Sequence, residues 1–456
     1  MQFSRCCAVA SCGLLFLNAC TNQNYTRPRV QIDSQWDVKD DFTKRTNDKL
    51  AYLQWWRDFN DPVLKKLMEE GLKCNQQILS SKSRIDAALG EVKKVRNQWI
   101  PNADFWTGYA NNPIYGFPGA LFVFVPSYFI NFYQQHHQYK ISKMQLGQAK
   151  ADDDVIRLMV ISEIASTYFG YQAYKDFLKQ LNTLRDDLAH MQSISESMHT
   201  DGLTADIEPH QIQHQLMLVE GERYLTQKNI IRMRNALRYL INQNPGSIKT
   251  TREFTDLMKK PKVVGAVPMK VLLNRPDLKV AEYRLKAAFY NVKLAHSPFV
   301  PRFEFDMFPG WVATNNAYHL PQTYLKFNDQ LLKVRVFQWS VLGEIDKAKG
   351  QKKAIFYEFL DTLRRVLRDT STAYENHDKA TKKLIAIEQA TQALFLVYQR
   401  HQSLTEQGIQ SELATLSHKI EYDRIRLVLN RAQLQQLLSI VRLYQELASG
   451  YKDIPS

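Results

Sequence analysis

The chain of 456 residues carries 60 Lys and Arg against 46 Asp and Glu, a formal charge of +14, with 45% hydrophobic and 23% charged residues. That balance excludes a disordered chain and a multispanning helical membrane protein, because beyond the N-terminus no apolar run approaches the roughly 18–20 residues of a spanning helix. The basic excess is dispersed along helical segments, densest at Lys259-Lys260-Pro261-Lys262 and Lys347 to Lys353, which is the pattern of a solvated face and not of a nucleic-acid stripe.

The first segment, MQFSRCCAVASCGLLFLNAC, has a basic Arg5, a short apolar run from Cys6 to Phe16 and small residues after it. This is an export signal, predicted over 1–19, and not a span. Its end, Leu17-Asn18-Ala19-Cys20, resembles the lipobox of bacterial lipoproteins, so Cys20 is expected to become the lipid-bearing first residue; the alternative is a plain secretory signal with an incidental Cys. Cys6, Cys7 and Cys12 would leave with the signal. Cys20 and Cys74 then remain, with no disulfide framework, so packing and oligomerisation must hold the exported protein. A lipidated terminus anchors to a membrane surface without crossing it, and export leaves no place for nucleic acid as a partner.

Along the chain, Arg84 to Phe105 begins as an amphipathic helix and turns at Pro101 toward strand periodicity. Arg284 to Phe305 does the same two hundred positions later, and the two stretches align without a gap: Arg84 with Arg284, Ala87 and Ala88 with Ala287 and Ala288, Val92-Lys93 with Val292-Lys293, Pro101 with Pro301, Phe105 with Phe305. An internal duplication accounts for this better than chance. In the first half an apolar, aromatic segment runs from Phe122 to Ile141. A helix from about Lys143 to Met198 turns at Thr200-Asp201-Gly202 and returns to about Asn242. In the second half the strand-like Val334 to Val341, its phase slipping at Phe337 in a suspected bulge, precedes a helix from about Ile345 to Leu404. That helix turns at Glu406-Gln407-Gly408 and returns to about Leu447. The divisions expected are a lipidated segment 20–54, repeat one 55–243, a polar connector 244–271, repeat two 272–450 and a tail 451–456.

The descending helices, some 56 residues, would extend about 85 Å at 1.5 Å per residue. A heptad seam runs through Phe359, Leu363, Val366, Thr370, Ala373, His377, Ala380, Leu384, Ile387, Thr391, Leu394, Tyr398 and His401, and such a seam demands a partner helix along its length. Each half supplies two strand segments. Phe303, Phe305 and Met307 alternate with Arg302, Glu304 and Asp306, as expected of a strand between lipid and water, and Trp106, Tyr109, Phe129, Phe132, Tyr133 and Trp311 could form interfacial girdles. Four strands cannot close a barrel, and open edges are forbidden in lipid, so copies must pool them: two give eight, three give twelve. The competing reading, aromatic core strands of a soluble α+β protein, leaves the long helices without a place.

Catalytic motifs are absent: there is no phosphate loop, no Gly-x-Ser-x-Gly and no His-Glu-x-x-His, so no enzymatic activity is expected. His210 and His214 stand four apart on a helix, but Gln211 occupies the place of a zinc protease's Glu, and two His make an incomplete site. His136-His137 need only an interfacial or lumenal position. With 11 Met and no Met cluster, nothing points to soft-metal export. No cofactor is expected beyond the lipid on Cys20.

NYTRPRV after Cys20, WWRDFNDPVLKKLMEEGLKCN from Trp55 to Asn75, ISEIASTYF from Ile161 to Phe169, and LLNRPDLKVAEYRLKAAFYNVKLAHSPFVPRFEF from Leu272 to Phe305 together resemble the outer membrane factors, TolC-like channels, in their lipoprotein branch of the NodT type. The resemblance covers essentially the whole chain after the signal. It implies a homotrimer in the outer membrane of a Gram-negative bacterium: mainly α, with long helical hairpins forming a periplasmic α-barrel and four strands per chain in a twelve-stranded β-barrel. It implies docking onto a periplasmic adaptor and an inner-membrane pump, or onto a type I secretion exporter. The docking tips would be Gly202, Leu203, Thr204, Ala205 and Gly408, Ile409, Gln410, Ser411. Gate carboxylates would be Asp206 and Glu208, which three copies would gather into a ring that raises their pKa values; equally, both residues simply favour a helix N-terminus. At the second turn Ala414 and Ser417 stand where the family often has Asp, leaving Glu412 as the nearest carboxylate. Three readings follow: an efflux exit duct, a duct for protein secretion, and a coiled-coil lipoprotein without a pore.

Overall fold

The computed structural model of the chain describes residues 25–28, 50–110, 119–203, 205, 207–258, 272–314, 322–333 and 338–452. Two short 3-10 helices, Leu50–Tyr52 and Trp55–Phe59, lead into α1 (Pro62–Cys74) and α2 (Gln76–Asn97). Asp61 starts α1 by accepting from the amides of Val63 (2.8 Å) and Leu64 (3.2 Å), with Pro62 at the first helical position, where a missing N–H costs nothing. Asn75 ends α1 and caps α2 at once, and its Nδ2 donates to the Leu240 carbonyl at 2.8 Å. That single side chain ties the entry of the first half to the end of its returning helix.

Then come β1 (Asn102–Ala110), β2 (Gly119–Ile130), the descending α3 (Phe132–Thr200) and the returning α4 (Ile207–Leu240). The second half repeats the order with α5 (Pro276–Ala295), β3 (Arg302–Thr314), β4 (Gln322–Lys333), α6 (Trp339–Glu406) and α7 (Glu412–Glu446). At 69 and 68 residues, α3 and α6 each extend about 100 Å, longer than the sequence led us to expect. Among the described residues no helix is long and apolar enough to cross a membrane.

The four strands form one antiparallel sheet in the order β1-β2-β3-β4, with β1 and β4 as its edges. The β2–β3 register omits 124–126 and 307–309, segments that contain Pro126 and Pro309, and a proline has no N–H to give a ladder. A register shift falls where Phe305 and Asp306 face Gln330 and Asn328, so a bulge lies in this hairpin; Phe337 is outside the described residues.

Two expected boundaries are corrected. The segment expected to continue apolar to Ile141 is strand only to Ile130, because Asn131 caps a helix there: its Oδ1 accepts from Gln134 N at 2.9 Å and its Nδ2 donates to Ser297 O at 3.0 Å. The strand expected over Val334 to Val341 is not one in its described part, since α6 begins at Trp339. The strand of that region is β4, whose Lys326, Asn328, Asp329, Gln330 and Lys333 hid it from a search for apolar alternation.

α3 packs on α2, α4, α5 and α7, while α6 packs on α5 and α7. The long helices therefore form a single layer, α2–α3–α5–α6 toward the strands and α4–α3–α7–α6 toward the hairpin tips. The seam of α6 is where the heptads put it. Phe359, Leu363, Val366, Thr370, Ala373, His377, Ala380, Leu384 and Thr391 are buried, and Ile387, Leu394, Tyr398 and His401 are half-buried toward the tip. Burial pushes the His377 imidazole below its ordinary pKa, and its Nδ1 lies 2.9 Å from Ser439 Oγ on α7; a neutral ring fits an apolar seam.

The main core sits midway along this layer, around the N-terminal 3-10 turns. Trp55 stacks on Tyr444 at 5.0 Å and 3°, and Phe59 lies 4.9 Å from Phe169. Leu64, Met68, Ile161 and Ile164 complete it, each such side chain contributing about 1.5–3 kcal/mol. Tyr168 Oη donates to Asp61 Oδ2 at 2.6 Å, which satisfies both groups in an apolar surrounding. Arg275, opening α5, is clamped between Asp277 (2.8 Å) and the buried Glu446 at the end of α7 (2.9 Å). A guanidinium so paired fixes the two ends of the second half against each other.

Candidate functional site

Both hairpin tips close with the same backbone motif. At the first, Gly202 has φ +74°, its N–H bonds His199 O at 3.0 Å and Leu203 N bonds Met198 O at 2.8 Å. At the second, Gly408 has φ +73°, its N–H bonds Thr405 O at 2.9 Å and Ile409 N bonds Leu404 O at 3.0 Å. This is the Schellman arrangement, which needs a left-handed residue at its centre. The residue after that glycine usually folds back onto the helix. Here Leu203 and Ile409 remain 70% and 69% exposed. Ala205 is exposed as well. Gln410 and Ser411 are used internally: Gln410 Oε1 lies 2.6 Å from His401 Nδ1, and Ser411 Oγ accepts from Ala414 N at 3.4 Å to cap α7. Thr204 lies outside the described residues.

Of the gate candidates, Asp206 is also outside the described residues. Glu208 is exposed in the first turn of α4. Glu412 reaches across to α3, its Oε1 3.5 Å from His190 Nε2, with both side chains exposed. The chain thus joins Glu412 to the other hairpin of the same copy.

Sequence reasoning missed how firmly α7 is bound to the first hairpin. Lys419 Nζ lies 2.6 Å from Asp187 Oδ1 on α3. One turn on, Asp423 comes beside the same Asp187, and burial together with that neighbouring carboxyl raises its own to about 7. Arg424 donates to Gln215 on α4 at 2.6 Å, Arg431 pairs with Glu222 at 2.9 Å, and Asn430 Nδ2 donates to Asp176 Oδ2 at 2.8 Å. Within the second hairpin the His401 and His418 rings stack at 3.8 Å. The only available signal was the spacing of Lys419 and Asp423, four apart on one helix face; their partner lies more than two hundred residues away.

At the other end, the strand register sets Phe105 opposite Phe124 and Phe303 opposite Ile130 and Leu332. Phe105, Phe122 and Phe124 are exposed. Where strands meet helices, Phe132 contacts Trp99 at 5.8 Å and Phe303 at 6.4 Å, an aromatic cluster suited to a boundary between phases. His136 is exposed and His137 is buried against Tyr290; burial, then His136 and two lysines, lowers His137 to about 4. His210 and His214 are exposed on α4, and among the described residues no group of three metal-ligating side chains forms.

Cys20 lies outside the described residues, but the segment just after it docks. Arg27 pairs with Glu282 at 3.3 Å and donates to Leu273 O at 3.2 Å, while Tyr25 packs edge-on to Phe289 under Lys286. Burial, reinforced by Glu282, raises the Tyr25 phenol to about 12.

Residues 267–449 match the family model of outer membrane efflux proteins. The solvent efflux pump outer membrane protein SrpC of Pseudomonas putida is 20% identical over 96% of this chain and 97% of its own length. The multidrug resistance outer membrane protein MdtP of Escherichia coli O157:H7 is 20% identical over 88% of this chain and 87% of its own. Among solved structures, the open state of the Neisseria gonorrhoeae MtrE outer membrane channel matches with a TM-score of 0.82 at 17% identity, covering 95% of this chain and 99% of that one. The Campylobacter jejuni CmeC outer membrane channel matches at 0.78 and 17% identity, over 95% of each chain.

Proposed function

We propose that the chain, whose residues 267–449 match the model of outer membrane efflux proteins, is the outer-membrane exit duct of a tripartite efflux system, three copies enclosing one passage for passive export. The observation that carries this is the pair of open edges in each chain. β1 and β4 each have one neighbour in the sheet, and unpaired strand edges are not tolerated in lipid. In the helix layer, the single chain leaves Met217, Leu218 and Leu225 of α4 and Ile385, Leu396 and Val397 of α6 exposed. Other copies of the same chain close both edges at once. Three copies give twelve strands and, toward the tips, twelve helices. At about 10 Å between neighbours, such a ring is roughly 38 Å across at the helix axes and leaves a lumen of roughly 28 Å.

The chain performs no chemistry in this reading; it supplies an aqueous path about 100 Å long below the membrane. The matched order of elements, with the left-handed residues Gly202 and Asn242 in one half and Gly408 and Ala448 equally spaced in the other, supports duplication of one unit over 55–243 and 272–450. A periplasmic adaptor and an inner-membrane pump are the partners, meeting the duct at the tips. The test is reconstitution of the purified full-length protein in planar bilayers: trimers with a steady single-channel conductance are expected, and monodisperse monomers that never conduct would overturn the reading.

Lipid on Cys20 is part of the same proposal. Cys20 lies five positions before Tyr25, a reach of at most about 18 Å, so the docked Tyr25–Arg27 segment limits where an acylated terminus can lie. Cys20→Ser is expected to yield protein without acyl mass in intact mass spectrometry, still partly recovered in the outer membrane through its strands. Wild-type protein beginning elsewhere and carrying no lipid would refute the assignment.

A further inference from the structure

The contact between the hairpins holds a cluster that channel architecture alone does not require. Asp187 on α3 and Asp423 on α7 are 8% and 3% exposed. Lys419 and Arg426 approach one oxygen of each, at 2.6 Å and 3.4 Å. The remaining oxygens, Asp187 Oδ2 and Asp423 Oδ2, are buried without any N–H or hydroxyl donor. Two carboxylates cannot share such a place with both charges intact, and an unsatisfied buried oxygen is costly; a proton held between them removes both difficulties.

The surroundings supply no substitute. Ile212, Leu216 and Val219 of α4 pack beside Leu184, Leu188, Leu416 and Ile420. The nearby polar groups of α4 are otherwise engaged, Gln215 with Arg424 and Arg223 with Glu220 and Asn182. From α6 the facing titratable group is Tyr398, stacked on Tyr422.

We propose that Asp187 and Asp423 form a proton-held latch between the two helical hairpins, closed while the carboxyls share a proton and released when that proton is lost. The inference rests on the exit-duct reading for its consequence, since freeing α6–α7 from α3–α4 near the tips eases opening of the tunnel. The direction follows from the shift. Asp423 titrates at about 7 in the folded chain against an ordinary 3.8. Its contribution is therefore complete below about pH 4 and lost as pH rises through about 7. Lys419 and Arg426 offset part of the charge, and above neutrality two buried carboxylates still face each other.

Two measurements test the latch. In bilayers, wild-type conductance should rise as pH passes through about 7. Asp423→Asn, which can donate to Asp187 and cannot ionise, should stay at the low level throughout. Lys419→Met should move the midpoint upward, because the cation that favours ionisation is gone. Independently of conductance, spin labels at Ser193→Cys and Ser417→Cys in a Cys74→Ser background, in trimers diluted with unlabelled chains, should show the α3–α7 separation lengthening or broadening above about pH 7, except with Asp423→Asn. A separation that ignores pH, or an Asp423→Asn protein with the wild-type profile, overturns the latch. Protein that never conducts but shows the pH-dependent separation keeps the latch and overturns the duct.

Discussion

Phe105→Arg with Phe124→Arg is expected to abolish membrane insertion and leave no heat-resistant trimer. The two residues are Cα partners midway along β1 and β2, and both are exposed in the single chain. Paired residues share a face of the sheet. The same register extends that face through the positions of Phe122 opposite Trp311 and Phe303 opposite Leu332, and in the proposed barrel this is the side that meets lipid. An arginine at bilayer mid-depth costs about 2–4 kcal/mol, and with two per chain in three chains the sum is about 12–24 kcal/mol, more than a marginally stable assembly holds in reserve. Asp104→Asn, on the opposite face and exposed, should insert and assemble as wild type does. Heat-modifiability on gels and outer-membrane fractionation read the result. Normal trimers from the double arginine variant would show that this face does not meet lipid.

How far the sequence reached depended on whether a signal was local. The heptads of α6 predicted its buried seam from Phe359 to Thr391, because a 3.5-residue period is written in the chain itself. Gly202 and Gly408 announced left-handed turns, and both have them. Strand β3 was legible because apolar and charged residues alternate from Arg302 to Met307. Strand β4 was not: its polar residues erase the alternation, and only pairing with β3 identifies it. The start of α3 is hidden in the sequence because Phe132 and Tyr133 extend an aromatic run past Asn131, which caps the helix through Gln134 N and also donates to Ser297 O far along the chain. The latch was beyond reach for the same reason. Asp187 and Asp423 are unremarkable polar positions on separate helices until α3 and α7 pack.

The tips give the sharpest test of partnership. Leu203→Glu with Ile409→Glu should reduce efflux to the level of a deletion strain while leaving trimer yield, insertion and conductance unchanged. The two side chains hold equivalent places just after the turn glycines and project into solvent, so replacing them removes no internal contact. If they are buried against an adaptor, each contributes about 1.5–3 kcal/mol, and three copies lose six such contacts while gaining six carboxylates to desolvate. Gly408→Arg is a less discriminating choice. At φ +73° an L-residue costs about 1–2 kcal/mol in backbone strain alone, so its failure would mix folding with docking. The strands lie about 100 Å away along α3 and α6, too far for a tip charge to disturb the barrel. Drug susceptibility of a complemented deletion strain reads the outcome, with bilayer conductance of the same variant as the control. Full complementation by the double glutamate variant would mean that the partner engages another surface, the sides of the tips or the layer of α4 and α7 above them.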